Sequence, residues 1–213
     1  MANSNIDSCG ITGIVTNRDF LSALDSLRRN TDLDDTVIFY FSGQGGSLVD
    51  GHHLVLSDTS IKTKDIIEIL ENIPAKNKVI ILDWCMAGNF SIGQTATFDV
   101  NDTVEEFAGK GYAVLASSNA AQYSYGHPDK PISLFTSFLC EAITDIHLIK
   151  QGQKSLYDLS KLLLIYLDIW NKRNPLKQQN PIFRANMGGK YSLNCRSIIH
   201  IALRKFMKNP MNI

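Results

Sequence analysis

Three short stretches of this chain are too apolar to lie at a surface, and they constrain its fold more than any other feature. Thr36 to Phe41 is β-branched or aromatic throughout, and Lys78 to Asp83 and Tyr112 to Ser117 are almost continuous apolar runs. Runs of this length and composition read as strands buried on both faces. Between and after them lie stretches with apolar residues at helical spacing. Thr16 to Arg29 places Phe20, Leu24 and Leu27 on one face, behind a capping-box-like start at Thr16 and Asp19. Thr63 to Ile73 turns Ile66, Ile67, Leu70 and Ile73 inward and stops at Pro74, and a shorter helix is expected near Thr103 to Ala108. One later helix carries Leu134, Phe135, Phe138, Leu139, Ala142, Ile143 and Ile146. The next begins at Ser155 and buries Leu156, Leu159, Leu163, Tyr166 and Trp170. His53 to Leu56 reads as a short strand, Ile182 to Arg184 and Lys190 to Leu193 as edge strands, and Ser197 to Met207 as a final helix. Strands alternating with helices make an α/β fold with a largely parallel sheet. Such sheets carry their functional loops at the carboxyl ends of the strands. That directs attention to Ser42 to Gly46, Asp83 to Gly88 and Ser117 to Gln122.

Composition narrows the function classes. A chain of 213 residues, 44% apolar and 20% charged, is one domain or at most two small ones, with enough apolar material for a sizeable core. Its 21 basic and 21 acidic residues cancel, which argues against a general electrostatic grip on nucleic acid or anionic membrane. Met1 to Cys9 lacks the regions of a signal peptide, and the longest apolar run, Leu162 to Leu167, is far shorter than a membrane span. Cys9, Cys85, Cys140 and Cys195 form neither a C-x-x-C pair nor a zinc spacing. Free thiols in a reducing, cytoplasmic compartment are the expectation, with no metal and no organic cofactor. Asp99, Asp102, Glu105 and Glu106 read as helix N-terminal charges rather than a calcium site.

Cys85 stands just beyond the strand ending near Leu82, in the turn Asp83-Trp84-Cys85-Met86-Ala87-Gly88. A thiol there, beside a helix start or exposed backbone N–H groups, can be a nucleophile; a free cysteine can equally be a small buried hydrophobe. Ser42-Gly43-Gln44-Gly45-Gly46 follows the neighbouring strand as a glycine-rich turn whose N–H groups can approach a ligand. No Gly-Lys-Ser/Thr follows, so it is not a phosphate-binding loop, and a plain tight turn is the other reading.

Together these segments resemble the caspase-like cysteine peptidases, the group that includes metacaspases and bacterial caspase homologues. The closest match is Val37-Ile38-Phe39-Tyr40-Phe41-Ser42-Gly43, which the family continues with His-Gly, the His being the catalytic imidazole. Val79 to Gly88 matches the second motif, strand-Asp-x-Cys-x-x-Gly. The two motifs lie about 40 residues apart, against roughly fifty in the family. Asp50-Gly51 with Leu54 to Thr59, Tyr112 to Gln122, Ser133-Leu134-Phe135-Thr136 and Gln179-Asn180-Pro181 match more weakly, in the right order. The resemblance implies a three-layer sandwich with a mostly parallel central sheet and helices on both faces. It assigns residues 1–196 to the peptidase domain and 197–213 to a C-terminal helix and tail. It also implies thiol attack by Cys85 through an acyl-enzyme, with backbone N–H groups of Gly45 and Cys85 as the oxyanion hole. Asp83, with Ser42, Ser117 and Gln122, would line the substrate cleft, and Asp83 would favour Arg or Lys at P1 through charge-assisted hydrogen bonds. The other reading of Asp83 is a strand-end carboxylate bonding to loop N–H groups.

Two departures stand out. Gln44 occupies the histidine position, and an amide neither takes nor gives a proton near neutral pH. His52 and His53 are the nearest histidines and read as surface or strand-edge residues, with His127, His147 and His200 structural or solvent-facing. The resemblance also begins at the family's second strand, near Ile11 to Thr16, so the family's first strand and first helix are expected to be absent from this sequence, whether through a fragment, a misplaced start or a real truncation. A sheet edge left unpaired in this way implies self-association or a covering partner. The expected function is therefore a cysteine endopeptidase acting on peptide or protein substrates and impaired by Gln44. Its rival is a pseudopeptidase that binds peptides or a partner through the retained cleft.

Overall fold

The structure is a computed structural model and describes residues 14–48, 50–86, 100–118, 124–150, 153–185, 192–194 and 199–204. The first helix, α1 (Asn17–Asn30), opens with the expected capping box: Thr16 accepts from the Asp19 backbone, and the Asp19 carboxylate accepts from the Thr16 backbone. The strand β1 (Thr36–Leu48) follows, then the short β2 (Gly51–Val55) and β3 (Ser60–Lys62), and the helix α2 (Thr63–Glu71). Next come β4 (Asn77–Met86), α3 (Val100–Gly109), β5 (Ala113–Ala116) and α4 (Leu134–Thr144). The short strands β6 (Ile149–Lys150) and β7 (Gln153–Ser155) lead into the long helix α5 (Leu156–Arg173). Three strands complete the order: β8 (Ile182–Ala185), β9 (Ser192–Asn194) and β10 (Ile199–Arg204).

The main sheet runs β3-β2-β1-β4-β5-β8, with β10 also paired to β1, and a small second sheet runs β6-β7-β9. β1, β4 and β5 are parallel, while β2, β3 and β8 enter antiparallel at the two flanks. Alternate residues of the central strands feed two separate cores, as the period of two requires. Phe39, Phe41, Ile80, Leu82 and Trp84 pack with Phe20 and Leu24 of α1, Ile66 and Leu70 of α2, and Phe107 of α3. Ile38, Val79, Ile81 and Leu115 pack on the opposite face with Leu134 and Leu139 of α4 and Leu159 and Leu163 of α5. The arrangement is the expected three-layer α/β sandwich.

Two segments depart from the sequence reading. Ser42 to Ser47 is not a turn. β1 continues straight through it, because Ser42 to Gly45 pair with Asp83 to Met86 of β4, and Gly45 to Leu48 pair with β2. The glycines serve packing: a Cβ on Gly43 would lie 2.8 Å from the buried Phe41 ring, and one on Gly45 would lie 3.1 Å from Trp84. The stretch expected as a final helix is instead β10, which runs parallel to β1 with Val37 opposite Ile199 and Ser42 opposite Arg204. β10 pairs β1 over Val37 to Ser42 and β2 pairs it over Gly45 to Leu48, so the sheet edge expected at β1 is moved outward to β10, which among the described residues pairs with β1 alone. The backbone hydrogen bonds offered by β1 outweigh a marginal local helix preference. The expected strand at Ile11 to Thr16 lies largely outside the described residues.

Adding a methyl group where Phe41 leaves no room should strain the core. Gly43→Ala is expected to lower the unfolding free energy by about 1–3 kcal/mol, read as an earlier urea midpoint at unchanged slope.

Candidate active site

β1 and β4 stay in register to their carboxyl ends: Ser42 lies opposite Asp83, Gly43 opposite Trp84, Gln44 opposite Cys85 and Gly45 opposite Met86. Partners in a ladder share a face of the pleat. The Tyr40, Ser42 and Gln44 positions on β1 and the Ile81, Asp83 and Cys85 positions on β4 therefore all belong to the α4–α5 face. The two residues singled out from separate motifs thus meet at one level, at the end of adjacent parallel strands. Cys85 is still inside β4 rather than in the turn beyond it. Gly45 is likewise within the ladder, opposite Leu54 on one side and Met86 on the other.

Asp83 is the most constrained side chain of the site, at 3% exposure. Ser124 Oγ donates to its Oδ1 at 2.9 Å, Thr136 Oγ1 donates to Oδ2 at 2.5 Å, and Ser133 Oγ donates to Oδ2 as well. Ser133 is also the N-cap of α4, its hydroxyl accepting from the Thr136 backbone at 2.9 Å. The carboxylate therefore sits at the positive end of that helix. Tyr40 extends the chain, its hydroxyl 2.6 Å from Thr136 Oγ1. With Thr136 donating to an ionised Asp83, Tyr40 is the donor to Thr136. Burial pushes the Asp83 carboxyl up from the ordinary carboxylate value, against the pull of hydrogen bonds from Ser133, Thr136, Ser124 and Ser117. Burial, and then the negative charge of Asp83, push the Tyr40 phenol up to about 12.

The strand-end loop that supplies Ser124 is held from behind. Gln179, fully buried, donates through Nε2 to the Ser117 carbonyl at 2.8 Å and accepts on Oε1 from the Tyr125 backbone at 3.1 Å. Asn171 of α5 fixes Gln179 in turn, accepting from its backbone N–H at 2.9 Å. Ser117 itself is buried, with its hydroxyl 3.4 Å from the Trp84 carbonyl. Of the expected cleft residues, Ser42, Asp83 and Ser117 come together, while Gln122 lies outside the described residues.

His53 is not at the surface, contrary to expectation. It is buried, opposite Gly46 and on the flank of β1 away from β4. Its Nδ1 lies 3.1 Å from Ser60 Oγ and its Nε2 3.0 Å from Asp50 Oδ1, so both ring nitrogens are engaged. Lys62 stands 2.7 Å from the other Asp50 oxygen, and these two partners, Lys62 foremost, hold the Asp50 carboxyl down at about 2. Among the described residues no group of three His, Cys, Asp or Glu side chains comes together to hold a metal ion. None of the described helices is long and apolar enough to cross a membrane.

Sequence reasoning missed the roles of Ser124, Thr136, Tyr40 and Gln179. A signal was present: Ser133-x-x-Thr136 is an N-cap pattern, and the stretch from Ser117 to Thr136 is rich in hydroxyls. Nothing in that pattern says which carboxylate the hydroxyls meet.

The caspase-domain model of the C14 peptidases matches residues 9–187, most of the chain. A search of the curated proteins finds no match. Among solved structures that match is pro-sf-caspase-1, with a TM-score of 0.53 and 13% identity over 83% of this chain and 72% of that one. At that identity the likeness speaks for the fold alone.

The pH dependence of Asp83 follows from its burial. In the folded state it holds its proton above the unfolded value of 3.8. Its contribution to stability is therefore present at low pH and lost as pH rises through the folded value. Asp83→Asn should cancel that loss: the Tm of the variant minus that of the parent should increase as pH rises above 3.8 and then level off. A difference curve that is flat or falls with pH, measured by scanning calorimetry, would contradict the assignment.

Proposed function

Because this chain belongs to the caspase-domain peptidases, we propose that it is a cysteine endopeptidase domain whose acid–base group has been replaced by Gln44. The observation that carries the reading is the register of Gln44 with Cys85 at the carboxyl ends of β1 and β4. In this reading the Cys85 sulfur attacks the carbonyl carbon of a peptide, and the N–H groups of Gly45 and Cys85 stabilise the oxyanion. The amine leaves with a proton, giving an acyl-enzyme that water hydrolyses. Gln44 can hydrogen-bond a substrate or the thiol but cannot carry that proton. An unassisted thiol with a pKa of about 8.5 is only a few per cent thiolate at neutral pH. The missing imidazole costs roughly 100- to 10,000-fold in rate.

Asp83 is proposed as the determinant of a basic P1 preference. Among the described residues its partners are neutral hydroxyls, and no cation balances its buried charge. A guanidinium or ammonium from a substrate would supply that balance and replace one hydroxyl donor. A second reading is favoured by Gln44 itself: a pseudopeptidase that retains the cleft for binding peptides or a partner.

Two measurements separate the readings. Gln44→His should raise peptide hydrolysis by at least about 100-fold, and the double variant Gln44→His with Cys85→Ala should stay inactive. A folded single variant that gains nothing would leave the pseudopeptidase as the better description. In a peptide library, restored activity should favour Arg or Lys at P1, and a profile led by Asp or by apolar residues would remove Asp83 from its role.

A further inference from the structure

α5 is apolar on two sides. Leu156, Leu159, Leu163 and Leu167 are buried against the sheet, yet Tyr157, Leu164, Ile165 and Ile169 on the outer side are 55%, 43%, 54% and 44% exposed. Lys161, Asp168 and Lys172 share that outer stripe, one or two turns apart. Their order is self-complementary. About the midpoint between Leu164 and Ile165, Lys161 and Asp168 stand equally far to either side, and so do Tyr157 and Lys172. The side chains already lie along the stripe: Lys172 Nζ is 2.7 Å from Asp168, and Lys161 Nζ is 4.3 Å from the Tyr157 ring centroid.

We propose that the outer face of α5 is an isologous dimer interface, occupied by α5 of a second copy of this chain running antiparallel. A two-fold axis at the Leu164–Ile165 midpoint sets Lys161 of each copy level with Asp168 of the other. It also sets Tyr157 level with Lys172 and Leu164 level with Ile165. Each opposite-charge pair and each cation–aromatic pair then occurs twice. A membrane surface is disfavoured as the occupant, because the stripe carries both signs of charge rather than a basic face. Among the described residues, four of the exposed large apolar side chains lie together on this one helix face, in an order that a second copy of the same helix complements. The 18 residues of α5 span about 27 Å. A single helix pair of that length is at the small end of protein interfaces, so the dimer is reversible and concentration-dependent.

Sedimentation equilibrium of the full chain over a concentration series tests this. The parent should show a monomer–dimer equilibrium. Ile165→Glu, with unchanged circular dichroism, should abolish it. Lys161→Glu and Asp168→Lys place like charges opposite one another in their own homodimers, and each should weaken association roughly tenfold. An equimolar mixture of the two charge variants restores both opposite-charge pairs, and a heterodimer at parental affinity is expected. A parent that is monomeric throughout, an Ile165→Glu variant that still dimerises, or a mixture no tighter than its components would each overturn the proposal.

Discussion

The parallel pairing of β1 with β4, from Thr36 opposite Asn77 to Gly45 opposite Met86, is the interaction on which the rest of this structure depends. It divides the molecule into two cores, because alternate residues of these strands face α1 to α3 on one side and α4 and α5 on the other. It also carries both site motifs in one register. A slip by a single residue would send the Gln44 and Cys85 positions to different faces and turn Phe41 out of its core. The glycines at positions 43 and 45 allow the ladder to persist so far. Their missing Cβ atoms leave space that the Phe41 and Trp84 rings occupy, so the backbone remains in the sheet where a bulkier residue would force it away.

Asp83 ties the end of that ladder to the helical layer. A buried carboxylate among apolar strands is costly unless its oxygens are satisfied. Here the hydroxyls of Ser124, Ser133 and Thr136 donate to it, the last two from the start of α4. The same contacts fix where α4 begins, which loop lies above the strand ends, and how Gln179 reaches Ser117 from behind. At the ends of β1 and β4, Asp83 and the start of α4 thus form one hydrogen-bonded unit.

The flanks of the sheet are completed by segments remote in sequence. β10 lies along Val37 to Ser42 of β1 and β2 along Gly45 to Leu48, while β4 pairs Thr36 to Gly45 from the other side. In the α4–α5 layer, Tyr157, Leu164, Ile165 and Ile169 expose apolar surface on the outer stripe of α5. The two faces of that helix differ in kind: mostly leucine with Ser160 and Asn171 on the buried side, apolar with Lys161, Asp168 and Lys172 on the outer side.

The strands Thr36 to Phe41, Lys78 to Asp83 and Tyr112 to Ser117, and the helices with Leu, Ile and Phe at helical spacing, were legible because burial imposes a period that local sequence records. The Thr16 and Ser155 caps were legible for the same reason: their hydrogen bonds close within three residues. The juxtaposition of positions 44 and 85 was accessible only through resemblance of motifs, since no local rule links residues so far apart. Three features were decided by tertiary structure alone. Ser42 to Ser47 became strand because two neighbouring strands offered hydrogen bonds that a turn would forgo. Ile199 to Arg204 became strand because β1 offered an unfilled edge to a segment with no decisive local preference. Asp83 acquired its hydroxyl cage because residues 41 to 53 positions further along the chain fold back onto it. By itself the sequence determines which residues must be buried and with what period; which partners satisfy the buried polar groups depends on long-range register, and only the assembled sheet supplies that.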